Sequence, residues 1–197
     1  MLDSEDPHKL SYNTYCRYNR EAAVNYALKW GEGRNPDYRE YATDCANFVS
    51  QCIFNGNLAM NRDWHCYYNG VEGLGEYIFT GDFLRYRFTG DEKHMENWDI
   101  APAWRLAQEQ CAYFSKDKFC ESIYIVENAT DIEKLVNEGL VEPGDLAYCS
   151  DDSIIHFNRN PYHATFISYV ENNNIYYAAH TSNYVKRDMK QALDDNS

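Results

Sequence analysis

The chain has 197 residues, of which 31 are acidic and 18 basic, for a net charge of -13. That length suits one domain that buries a core without disulfides or metal. The charge excludes electrostatically driven binding to nucleic acid or an anionic membrane, since both need concentrated Lys and Arg.

No apolar run approaches the ~18 residues of a membrane span. Residues 1–17 read as a polar lead-in with no signal peptide, so the chain is expected to be cytosolic or a trimmed part of a secreted protein. Asn19 is placed to cap a helix over Arg20–Trp30, with Ala23, Tyr26, Ala27 and Trp30 on one stripe and Gly31 as its stop. A second helix is expected from Thr43 to Asn55, with Cys45, Phe48, Val49 and Cys52 on one face and Gly56 after it. Residues 57–100 have no sustained period and read as a loop-rich insertion. Pro102 opens a third helix that runs to Lys116, with Trp104, Ala107, Cys111 and Phe114 inward.

Glu121–Asn128 has the β-branched and aromatic content of a short strand. Thr130 and Glu133 have capping-box spacing before a short helix that ends at Gly139. Pro143-Gly144-Asp145 reads as a turn into a strand at Leu146–Cys149, followed by a polar loop over Ser150–Pro161. His163–Val170 and Ile175–His180 form a hairpin about an Asn-rich turn. Helices come first and strands last, which is an α+β order.

Seven cysteines are present: Cys16, Cys45, Cys52, Cys66, Cys111, Cys120 and Cys149. None forms a C-x-x-C pair, so zinc-ribbon and thioredoxin readings have no support, and no metal or cofactor is expected. Most should be buried small hydrophobes. Cys45 differs because it falls in the first turn of a helix, where unpaired N–H groups favour thiolate and can donate to an oxyanion. A nucleophilic thiol needs a base with an orienting partner. His163 opens one strand of the hairpin and His180 closes the other, so the two are expected side by side on one face. Aromatic residues are 16% of the chain, with 18 Tyr and 4 Trp. They suit either a groove for a flexible polar ligand or a Tyr-rich core.

The segment DCANFVSQC, Asp44 to Cys52, resembles the signature of the Putative amidase domain family, a branch of the papain-like fold related to NlpC-type and CHAP cell-wall hydrolases. Tyr18–Trp30 is similar to that family's opening helix, and Trp64 with Tyr67 and Tyr68 to its W-Y-Y segment. Pro143–Cys149 resembles its G-D strand, and the runs from His163 and His180 resemble its two histidine strands. Tyr41-Ala42-Thr43 stands where the family often has Gly.

The resemblance implies a single papain-like amidase domain over 1–197, with the nucleophile's helix packed on a C-terminal antiparallel sheet. It implies Cys45 as nucleophile, His163 as general base and acid, and His180 as orienter of His163. Asp44, Trp64, Tyr67 and Trp104 are candidate substrate contacts, with helix-end stabilisation or core packing as their alternatives. A thiolate–imidazolium pair attacking an amide is the expected mechanism. The expected partner is a peptide or amide substrate, with bacterial peptidoglycan stem peptides first. A deamidase, transferase or effector acting on another amide, and a non-catalytic binding module, are the alternatives.

Overall fold

The computed structural model describes residues 18–68, 98–116, 118–151 and 160–195. Helix α1, Arg20–Trp30, begins where Asn19 Oδ1 accepts from the Ala22 N–H at 3.0 Å, which is the cap read from the sequence. Gly31 closes it, donating its N–H to the Ala27 carbonyl at 2.8 Å. Helix α2, Cys45–Asn55, has nine of its 11 residues buried. A helix buried nearly all round lies at the centre of a fold and must find partners for its polar side chains. Asn47 Oδ1 accepts from Trp104 Nε1 at 2.8 Å, and Gln51 Oε1 accepts from the Tyr26 hydroxyl at 2.7 Å. Ser50 Oγ donates to the Trp104 carbonyl at 2.8 Å and accepts from Trp64 Nε1 at 2.9 Å.

Strands β1, Cys66–Tyr68, and β2, Trp98–Ile100, form an antiparallel ribbon with Tyr67 opposite Asp99. Most of the loop-rich insertion expected over 57–100 lies outside the described residues. The single helix expected over 102–116 is two: α3, Pro102–Arg105, and α4, Ala107–Phe114. Leu106 between them is extended (φ -107°, ψ 123°). The break resets the phase, so Gln110 and Tyr113 turn inward and Cys111 is only half-buried. Gln110 is tolerated in the core because its Nε2 donates to the Ala46 carbonyl at 2.8 Å and to Ser50 Oγ at 2.7 Å.

The strand expected at 121–128 does not form. Ile123, Tyr124 and Ile125 are exposed and pair with no described strand, because strand-forming residues need a neighbouring edge to bond. Helix α5, Ala129–Asn137, opens on a capping box of Asn128 and Asp131, not of Thr130 and Glu133. Asn is the stronger N-cap, which moves the helix start upstream of Thr130.

Strands β3, Leu146–Asp151, β4, Asn160–Glu171, β5, Asn174–Ala179, and β6, Tyr184–Asp188, form a four-stranded antiparallel sheet in that order. Asn172 and Asn173, both with positive φ, make the two-residue turn between β4 and β5. Strand β6 and the short helix α6, Met189–Asp194, have no counterpart in the sequence reading.

The sheet separates two apolar layers. Ala164, Phe166 and Ala178 pack with α1, α2 and the Trp64–Trp104 cluster, and Ile167 and Ile175 pack with Ile132 and Leu135 of α5. The fold is α+β, with helices covering an antiparallel sheet. Among the described residues no helix is long and apolar enough to cross a membrane.

Gly31 lets the end of α1 approach β6. A Cβ there would lie 2.8 Å from the Tyr184 carbonyl oxygen and 2.8 Å from Val185 Cγ1. Gly31→Ala is therefore expected to lower unfolding free energy by about 1–3 kcal/mol, the usual cost of overpacking, as read by urea denaturation. An unchanged midpoint would show that this approach is not tight.

Candidate active site

Cys45 is the first residue of α2 and is 7% exposed. Backbone amides of Ala164, Ala46 and Cys45 itself lie near its sulfur and favour its charged form. Two come from the open start of the helix, and the third comes from β4.

These donors lower the thiol's pKa, as a helix start should, but burial is the larger effect and raises it, and the Asp44 carboxylate raises it further. Burial lowers the pKa of His163. Both shifts favour neutral forms. They oppose the thiolate–imidazolium pair that the resemblance implies. Cys52, buried on the same helix, is pushed well above an ordinary thiol by burial.

His163 lies one peptide bond from the Ala164 amide near the Cys45 sulfur, and its side chain is half-buried. Among the described residues its ring makes no hydrogen bond to Cys45. Its direct neighbour across the sheet is Cys149 on β3. The pairing of β4 with β5 ends at Phe166↔Ala178, and His180 lies in the turn just after β5. Among the described residues no hydrogen bond joins the two histidine rings.

His180 is 1% exposed and bonds elsewhere. Its Nδ1 is hydrogen-bonded to Asp44 Oδ2 at 2.6 Å, and its Nε2 to the Trp30 carbonyl at 2.8 Å. The ring also stacks on Phe48, with centroids 3.9 Å apart. Asp44, 1% exposed, accepts on Oδ1 from Asn47 Nδ2 at 2.8 Å and from the Tyr41 N–H at 3.2 Å. Arg34 Nε stands 3.3 Å from Asp44 Oδ2.

A carboxylate so enclosed does not reach a substrate amine, so the substrate contact expected of Asp44 is corrected to an internal support. Trp64 and Trp104, both 0% exposed and 4.8 Å apart between centroids, are likewise core and not cleft walls. Tyr67 is 45% exposed and stacks on His65, with ring centroids at 4.9 Å. Among the described residues no group of three or more His, Cys, Asp or Glu is arranged to hold a metal ion.

Residues 17–197 match the family described as Putative amidase domain, and the chain belongs to that family. The family's description is that of an amide-bond hydrolase. A stretch of 44 residues, 22% of the chain, is 43% identical to the uncharacterized protein YhbB of Bacillus subtilis (strain 168) and spans 14% of that protein's length. No solved structure matches the chain.

Because burial raises the Cys45 thiol, its alkylation by iodoacetamide should keep accelerating with pH above the ordinary thiol range of about 8.5. Asp44→Asn removes a carboxylate that raises the thiol, so it should move that midpoint to lower pH. Peptide mapping of the Cys45 adduct against pH reads both effects. A wild-type midpoint below the ordinary range would contradict them.

Proposed function

We propose that this protein is a papain-like cysteine amidase that acts through a covalent acyl-enzyme on Cys45. The observation that carries this reading is the placing of Cys45 as the first residue of a buried helix, with the backbone of Ala164, next to His163, near its sulfur. Neutral His163 accepts the thiol proton as sulfur attacks the amide carbonyl. The carbonyl oxygen takes up the negative charge and is received by the Cys45 and Ala46 N–H groups, which are preorganised donors. His163 then gives its proton to the leaving amine, and a thioester remains. His163 next takes a proton from water, which attacks the thioester and releases the acid and the thiol.

The pairing is supported by sequence proximity in the fold: His163 directly precedes Ala164, whose backbone lies near the Cys45 sulfur. A peptidoglycan-type stem peptide is the first substrate, on the strength of the family's amidase character. The net charge of -13 favours a soluble peptide or small amide as the second, because it repels an anionic wall polymer.

The test is incubation with purified peptidoglycan and, separately, with a peptide library, reading new amines by mass spectrometry. Cys45→Ala is expected to abolish release, and His163→Ala to slow it about 10²–10⁴-fold, the range for a lost general acid–base. Because burial lowers the pKa of His163, the acid limb of kcat/KM should fall below the ordinary histidine value of about 6.5. Turnover that survives Cys45→Ala would overturn the reading, and release from the library alone would remove the wall substrate.

A further inference from the structure

We propose that His180 is a positioning residue for the nucleophile: it acts through Asp44 on the first turn of α2, and it is not the partner of His163. The inference rests on Cys45 being the nucleophile. Both ring nitrogens of His180 are already committed, to Asp44 Oδ2 at 2.6 Å and to the Trp30 carbonyl at 2.8 Å, so neither can accept from His163.

Asp44 is the residue before Cys45. Its Oδ1 gathers Asn47 Nδ2 and the Tyr41 N–H, and its own N–H donates to Thr181 Oγ1 at 3.3 Å. The backbone on either side of the thiol is thereby held from three elements: the loop before α2, the first turn of α2, and the end of β5. Thr181 has φ 89°, a left-handed conformation that a β-branched residue rarely adopts. Such strain persists only where the surroundings enforce it. Here it coincides with the turn that brings His180 and Thr181 together onto Asp44. Phe48, one turn into α2, fixes the plane of the ring by stacking. The end of α1, the start of α2 and the end of β5 thus meet in one imidazole, and the thiol and the N–H groups around it take their aim from that meeting.

The two nitrogens of His180 can be mimicked separately. An Asn amide nitrogen stands near the place of Nδ1 and keeps the bond to Asp44, whereas a Gln amide nitrogen stands near the place of Nε2 and keeps the bond to Trp30. The readout is the second-order rate of Cys45 alkylation by iodoacetamide, mapped by peptide mass and taken below each variant's melting temperature. We expect His180→Asn to label near the wild-type rate and His180→Gln to label severalfold more slowly. The same ratio should appear in a His163→Ala background, since the route does not pass through His163. The proposal is overturned if Gln labels as fast as Asn, or if the difference vanishes without His163. Should the protein release no amine from any amide while the Asn and Gln variants still separate, the positioning role stands and the proposed chemistry falls.

Discussion

The contact between His180 and Asp44, 2.6 Å long and with both side chains 1% exposed, is the constraint on which the site depends. It joins a residue just past β5 to the residue that precedes α2, 136 positions earlier in the chain. Removing one partner of a buried pair leaves the other uncompensated, at a typical cost of about 3–5 kcal/mol. Replacing both by apolar groups is often neutral for stability. The pair is therefore better explained by where it holds the backbone than by any net gain in folding energy. Arg34 beside the same carboxylate oxygen and Phe48 against the ring complete its surroundings.

Burial is what aligns the nucleophile, and it also raises its pKa. A helix start alone would favour thiolate. Drawing that start into the core, under a sheet and beside a carboxylate, pushes the thiol's pKa up instead. The amide donors around sulfur do not overcome desolvation in the free protein, yet they remain in place for charge that develops during attack. Such an arrangement favours the transition state over the resting thiolate, which is the useful direction for catalysis. The aromatic residues serve the same enclosure. Trp64, Trp104, Tyr113 and Phe114 interlock behind α2, and the indole nitrogens of Trp64 and Trp104 satisfy Ser50 and Asn47 on that helix.

What could be read from the sequence follows from how local its causes are. The cap at Asn19, the stops at Gly31 and Gly56 and the Asn-rich turn after β4 each depend on a few adjacent residues, and all stand as read. Leu106 breaks a helix whose apolar stripe looked continuous, because Gln110 finds partners on α2 that no local pattern contains. The run Ile123–Ile125 has strand composition but no edge to join. The placing of Cys45 at a helix start was legible. The partners of His180 were not: a carbonyl at the end of α1 carries no signature in sequence. The strand register around His163 and His180 could be off by one residue on sequence grounds, and one residue decides which face a side chain takes.

The most direct measurement is capture of the covalent intermediate: acid quenching during turnover of an amide substrate, followed by mass mapping of every cysteine peptide. The account predicts an acyl adduct on the Cys45 peptide, absent from Cys45→Ala. An adduct on Cys149, the thiol directly across the sheet from His163, or full turnover with Cys45 replaced, would contradict it.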